Sequence, residues 1–379
     1  MTTKYDVFAE IIEKAPCKQK DLSFKSPVYM HISSLQKQGW VNKKNGLLMP
    51  IKNHTTQNVF RIIKYCLNHG LEHNLFFLKS MKKVLRHLPQ GLPELRPLPL
   101  RGNKEVTRVL KYLEQNQFIL KHSRKPAEGR MLRHQLLDRA ADFHGVNIML
   151  KAVELPDMAR KILKHKAEPI SPFDDRAFSF LAGSAQLEGS TITEGDTRNI
   201  LIKDIYPDKP SNDIQMVKNL NEALKFIIEN KDREITPEGI REINKLVMFS
   251  LHANAGNYKS TQNRIYGNPL FKTATPEEVP RMARHFCDEL AGEAKKDILL
   301  GKLGSIHNQL QRIHPFSDGN SRTTRIVLNW LLLKHDLPIV ILKMGSFDEY
   351  MSLTKLSSKQ DDDNLNRLFL ELIVHESGS

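Results

Sequence analysis

The sequence predicts a mainly α fold: a helical bundle interrupted by a β-hairpin, preceded by an N-terminal winged helix-turn-helix-like module. Three observations predict it. From about residue 170, apolar residues recur at helical spacing in one segment after another. The stretch 259–275, KSTQNRIYGNPLFKT in its core, breaks that run with short β-like pieces around Gly267, Asn268 and Pro269. The first 52 residues read in the order helix, helix, hairpin.

At 379 residues the chain is long enough for two or three domains. It is 40% hydrophobic and 26% charged, the balance of a soluble globular protein. No apolar run approaches the ~18 residues a membrane span needs, so no membrane partner is expected. The opening MTTKYDVFAE lacks the basic flank and apolar core of a secretory signal. Cys17, Cys66 and Cys287 are odd in number and far apart, which fits neither a zinc set nor a disulfide framework and suits a reducing cytoplasm.

The elements follow in order. Phe8, Ile11 and Ile12 mark one face of a first helix. A second is expected from Ser26 as cap and Pro27 at its first position, through Val28, Ile32 and Leu35, to a stop at Gly39. Asn45-Gly46 between two apolar runs is a hairpin signal, since both residues tolerate positive φ. This module (1–52) would place Lys37, Lys43 and Lys44 on its second helix and wing. Residues 53–102 read as basic helical sequence ending in a linker with Pro89, Pro93, Pro97 and Pro99. Residues 103–168 resume helical patterning with Val106, Val109, Leu110 and Leu113 on one stripe, and carry no recognisable chemistry. Residues 170–379 form the helical domain. Thr236-Pro237 opens one of its helices and Thr275 with Glu278 has capping-box spacing for another. Its last helices are expected at about 346–357 and 363–375.

The charge is uneven. Residues 1–170 hold 31 Lys and Arg against 14 Asp and Glu, while residues 171–379 hold 26 against 29. The whole excess behind the net +14 therefore lies in the N-terminal part. Either residues 1–100 meet an acidic partner, DNA first, or they present a solvated basic surface.

The densest chemistry lies in IHPFSDGNSRTTRIV, residues 313–327. His314 ends one helix, and Ser317-Asp318-Gly319-Asn320-Ser321 leads into the next. Amides at a helix start carry partial positive charge and bind anions, and Gly319 lets a phosphate approach the backbone. Arg322 and Arg325, three apart, share a helix face and can each fork two phosphate oxygens. Asp318 supplies the hard oxygen that Mg²⁺ takes while bridging phosphates. His314 titrates near neutrality and can accept a proton from an attacking hydroxyl. Phe316 reads as core that fixes the loop. Base, metal ligand, anion nest and charge clamps together point to phosphate-transfer chemistry without a Walker A loop. The alternative is a polar helix junction tied by one Asp–Arg pair.

HPFSDGNSRTTR resembles the signature of the Fic family, H-x-F-x-[D/E]-G-N-[G/K]-R-x-x-R, with Ser321 where Gly or Lys is usual. GNYKSTQNRIYGN followed by TPEEVP resembles the family's flap hairpin and its next helix, so the similar region spans about 175–375. The resemblance implies a helical bundle with a β-hairpin flap that transfers AMP from ATP to a Ser, Thr or Tyr hydroxyl of a protein. It implies His314 as general base and Asp318 as holder of Mg²⁺ on the α and β phosphates. Gly319, Asn320 and Ser321 would form the anion nest, and Arg322 and Arg325 would hold the outer phosphates. Ile265, Tyr266, Gly267 and Asn268 would dock the target segment and cover the nucleotide. Tyr350 and Ser357, on a following helix, would contact the nucleoside, with Ser357 in place of a commonly seen Asn.

SAQLEGS (184–190) resembles the family's inhibitory motif, [S/T]-x-x-x-E-[G/N]. Ser184 and Glu188 lie one above the other on a helix that Gly189 ends. The resemblance implies that Glu188 pairs with Arg325 and keeps ATP unproductive, the inhibitory helix standing N-terminal to the core. The expectation is a self-inhibited protein adenylyltransferase whose partners are a protein bearing an exposed hydroxyl, DNA through the basic N-terminal part, and a second copy in a homodimer. The competing expectations are a DNA-binding regulator with a sensory or decayed Fic half, and removal of AMP or transfer of phosphate by the same site.

Overall fold

The computed structural model describes residues 2–24, 28–87, 104–124, 127–148, 158–164, 168–265, 267–292, 295–355, 357 and 360–377. Ser26, Pro27, the proline-containing stretch 88–102 and Tyr266 fall outside them. Two compact units emerge. The first comprises Met1–Gln90, Pro97–Lys111 and Gln135–Leu150, and the second Gly91–Arg96, Tyr112–His134 and Lys151–Ser379.

In the first unit, α1 (Lys4–Lys14) begins with a reciprocal capping box between Thr3 and Asp6. It packs on α2 (Tyr29–Lys37), which stops where Gly39 takes a φ of 68°. Strands β1 (Val41–Lys44) and β2 (Leu47–Pro50) pair antiparallel across Asn45 and Gly46, with φ of 50° and 78°. That is the left-handed pair a two-residue hairpin needs. α3 (His54–Asn68) starts on an Asn53–Thr56 box, and α4 (Lys79–His87) follows. α5 (Lys104–Gln115) begins in this unit.

Residues 117–134 depart from the expected helix. β3 (Ile119–Arg124) and β4 (Ala127–Met131) pair antiparallel with an irregularity between Lys121 and Ser123. The hairpin lies in the second unit, then α6 (Gln135–His144) returns to the first. There Asn58 Nδ2 donates to Asp142 Oδ2 at 2.8 Å, and Phe143 packs edge-on against Phe77.

The second unit continues with α7 (Met158–Lys164), α8 (Asp175–Gln186), α9 (Glu194–Lys203), α10 (Ser211–Glu229) and α11 (Pro237–Val247). α12 (Val279–Ala291), α13 (Lys296–Leu300), α14 (Leu303–Ile313), α15 (Asn320–Lys334), α16 (Phe347–Leu353) and α17 (Asp362–Glu376) complete it. Thr236 caps α11 as its sequence implies, accepting from Gly239 N, a bond worth about 1 kcal/mol. Thr275 and Glu278 make only half a box, Glu278 accepting the Thr275 amide, and α12 starts one residue later.

α15 is the hub. Every residue from Asn320 to Leu332 is buried, polar first turn included. α10, α11 and α14 pack around it, and α17 packs on α14. A helix apolar all round is expected in a core; here the polar exceptions sit at the end that meets the cleft described below, apart from Asn329, which pairs with the Val340 backbone. Gly304 permits the α14–α17 approach, since a Cβ there would lie 2.1 Å from Asp362 O. Arg130 of β4 clasps Glu371 of α17 at 2.6 Å and Glu349 of α16 at 2.7 Å, which fastens the hairpin to the bundle. Among the described residues no helix is long and apolar enough to cross a membrane.

Candidate active site

The loop between α14 and α15 is held before any ligand arrives. α14 ends as His314 takes a φ of 48°, and α15 begins after Gly319 at 77°. A side chain at Gly319 would be strained and would bring a Cβ 2.6 Å from Met248. Asn320 folds back onto the loop, its Oδ1 accepting from Phe316 N and its Nδ2 donating to Phe316 O. Phe316 is buried, as expected. Asn244 of α11 donates to Asp318 O and Thr323 Oγ1, and Asn263 donates to Phe316 O and Ser317 O. The Lys259 amide donates to Pro315 O. Such multiple anchoring preorganises a site rather than leaving its geometry to the ligand.

This loop forms one wall of a cleft of about 180 Å³. His314, Asp318, Gly319, Asn320 and Ser321 line it together with Arg264, Ile265 and Glu188. His314 Nδ1 lies 3.2 Å from Gln311 O. A carbonyl only accepts, so Nδ1 carries the hydrogen and Nε2 keeps its lone pair. Burial first, then the positive Lys355 and Lys259, push the imidazole down to about 3. It is therefore neutral at pH 7, the form in which a base accepts a proton.

Asp318 is the exposed carboxylate of the loop, its side chain 57% accessible. Its Oδ1 accepts from the Gly319 amide and stands 3.4 Å from Arg322, while Oδ2 makes no hydrogen bond among the described residues. Mg²⁺ typically takes one or two carboxylates and completes its shell with phosphate and water. One outward oxygen beside an α-helix start fits that demand; among the described residues no group of three or more His, Cys, Asp or Glu could hold a metal alone.

The two arginines lie under the cleft rather than in its wall. Arg325, fully buried within α15, donates from Nε to Ser184 Oγ at 2.9 Å and from Nη2 to Ser184 O at 3.1 Å. The same Nη2 meets Glu188 Oε1 at 2.8 Å. The spacing of Ser184 and Glu188 on and beyond α8 thus brings both to one guanidinium, and Gly189, with φ of 94°, turns the chain away. Burial pushes the Glu188 carboxyl up, but Arg325, Arg322 and Lys355 outweigh it and hold it at about 2. Arg322 is equally buried, and its Nε has no hydrogen-bond partner among the described residues.

Other expected site residues are placed differently. The 259–275 segment contains no strand among its described residues. Gln262 Nε2 donates to Thr273 O and Oγ1, so a side chain closes the loop where a ladder was expected. Gly267 and Ile265 line a larger groove of about 820 Å³ that shares Arg264 with the cleft. Asn268 is buried and donates to Lys355 O. Tyr350 lies in the core, its hydroxyl 2.9 Å from His307 Nε2 and near the Arg325 guanidinium. Ser357 follows the end of α16 at Leu353 and is not helical. Sequence reasoning missed Lys355, Asn244 and His307, which stand outside the motif.

Residues 234–332 match the Fic/DOC family. Over 179 residues the chain is 31% identical to the protein adenylyltransferase Fic of Nematostella vectensis, covering 46% of this chain and 41% of the relative. It is 28% identical to the protein adenylyltransferase fic-1 of Caenorhabditis elegans over 191 residues, 48% of this chain and 37% of the relative. The chain thus spans about two-fifths of the length of these curated relatives. Among solved structures, a Fic domain-containing signaling protein from Bacteroides thetaiotaomicron superposes with a TM-score of 0.50 at 23% identity, over 57% of this chain and 94% of that one.

Proposed function

We propose that this chain, whose residues 234–332 match the Fic/DOC family, uses its cleft to transfer AMP from ATP to a protein hydroxyl under restraint by Glu188. The observation that carries the proposal is a neutral imidazole with its Nε2 lone pair available, set in one cleft with Asp318 and the start of α15. Only two other demands remain for phosphoryl-centre chemistry, charge clamps and a route for the acceptor. Arg322 and Arg325 supply the clamps, and the groove along Ile265 and Gly267 supplies the route. Tyr266, assigned to that flap by its sequence, belongs to the same proposal.

In this mechanism the target hydroxyl approaches from the groove and gives its proton to His314 Nε2. Its oxygen bonds to the α-phosphorus as the bond to the bridging oxygen breaks, and that electron pair leaves with pyrophosphate. The first-turn amides of α15 lack i−4 acceptors and face the anion. Asp318 would hold Mg²⁺, which supplies charge neutralisation across the phosphates when bound. Glu188 restrains the reaction because the guanidinium it occupies is the one a γ-phosphate would need. The test is transfer of label by Glu188→Gly from ATP labelled at the α but not the γ phosphate. Transfer of γ label would replace this reading with phosphotransfer. Release of AMP from a modified protein, dependent on Glu188, would replace it with the reverse activity.

A second reading concerns the first unit, and it is independent of the first. Its helix–helix–hairpin order and the exposure of Lys37, Lys43 and Lys44 on α2 and β1 support DNA binding by a winged-helix-like module. A gel shift with the full chain that weakens steeply with salt, and weakens again when the three lysines become alanine, is the expected result. Retention of the shift in the triple variant would remove it.

A further inference from the structure

Lys355 belongs to no motif and lies two residues past the end of α16. Its Nζ nevertheless reaches the start of α15, donating to Ser321 Oγ at 2.6 Å in the wall of the same cleft as His314, Asp318 and Glu188. Its backbone is pinned there, since Lys355 O accepts from the buried Asn268 side chain at 2.8 Å. Among the described residues the ammonium's one hydrogen bond thus goes to a neutral hydroxyl, a poor match for a charge taken out of water.

The neighbours sharpen the mismatch. Glu188, Arg325, Arg322 and Asp318 are the charges that act on Lys355. Glu188 answers Arg325 directly, yet among the described residues Arg322 keeps an unpartnered buried Nε and only a 3.4 Å contact with Asp318. Three cations therefore converge on one restraining carboxylate and one half-exposed one. A solvated surface lysine has no reason to be tied at both its backbone and its head to the edge of such a site.

We propose that Lys355, oriented by Ser321, is a third phosphate-holding cation of this site, gripping the β-phosphate side of ATP and the pyrophosphate that departs. The inference rests on the transfer reading above. Ser321 then has a use that neither glycine nor lysine at that position would need: it presents a cation arriving from another segment. During transfer Lys355 stays protonated. The hydroxyl proton goes to His314 Nε2, the bridging oxygen takes the electron pair, and Lys355 balances the charge that accumulates on pyrophosphate.

The experiment uses the full chain with Glu188→Gly, so that Arg325 is released in every variant. Lys355→Met, Lys355→Arg and Ser321→Ala are each titrated with Mg·ATP and with adenosine, which lacks phosphates. Lys355→Met is expected to weaken ATP about ten- to a hundredfold, the range for a charge-assisted phosphate contact, and to leave adenosine unchanged. Lys355→Arg should recover most of the ATP affinity, and Ser321→Ala should lose it severalfold with adenosine again unchanged. Should Lys355→Met fail to fold, losing both ligands, Ser321→Ala decides: an unchanged ATP affinity overturns the inference. ATP binding within twofold of the parent in Lys355→Met also overturns it, and leaves the transfer reading standing. A Glu188→Gly parent that binds no ATP overturns both.

Discussion

Removing the Glu188 carboxylate should activate the chain by about two orders of magnitude. The size follows from the site. Glu188 is held at about 2, against an ordinary glutamate value of 4.5. At 1.36 kcal/mol per unit, what remains of its attraction to Arg325, Arg322 and Lys355 after the opposing cost of burial is about 3 kcal/mol. If Arg325 must leave Glu188 before it can hold a γ-phosphate, that energy divides the competent population by about 100-fold or more. Glu188→Gly removes it, while the two Ser184 bonds keep Arg325 placed. The assay is initial rate of AMP incorporation from α-labelled ATP at matched protein concentration. A rise of 30- to 300-fold is expected, with Glu188→Gln between parent and Gly. A change below threefold, in a variant that binds ATP, would refute the reasoning. The sign with pH follows from the same value. A depressed carboxyl contributes its stability above its unfolded pKa and loses it as pH falls toward 2, so restraint should not vary from pH 5 to 9.

Other outcomes can be checked on the same protein. His122, His307 and His314 are each pushed down to about 3 by burial and neighbouring positive charge. A lowered histidine contributes stability above its unfolded value near 6.5 and loses it as pH falls, about 2 kcal/mol each by pH 5. Thermal melts should therefore drop steeply between pH 7 and 5, and a flat profile would contradict the three neutral burials. Arg130→Met should cost about 3–5 kcal/mol in denaturant unfolding, because it strands the buried Glu371; a loss under 1 kcal/mol would mean the clasp is not structural. Gly304→Ala places a Cβ 2.6 Å from Asn366 N as well as against Asp362 O, so the melting temperature should fall by several degrees. An unchanged melt would show that α14 and α17 separate freely.

What the sequence made legible was local and chemically dense. The α14–α15 loop carries its own turn residues, Gly319 and the folded-back Asn320, so its geometry follows from adjacent residues. Asn45-Gly46 is likewise self-sufficient. Ser184 and Glu188 were legible through spacing, although their meeting with Arg325 needs α8 to pack against α15, a long-range fact. The β3–β4 hairpin was hidden because Lys121, His122, Arg130 and their neighbours give it a basic, surface-like composition. Its burial comes from Glu371 and Glu349, more than 200 residues away, which neutralise Arg130. The 259–275 segment misled in the opposite direction: its turn signals are real, but Gln262 and Thr273 close it through side chains. Lys355 gave no signal, since a lysine after a helix is usually solvated and only the fold carries it to Ser321.

The most direct measurement is the intact mass of the protein after incubation with Mg·ATP, for Glu188→Gly and for Glu188→Gly with His314→Ala. The account predicts an added adenylyl group on the first and none on the second. A phosphoryl addition, or an adenylyl group that persists without His314, would contradict it.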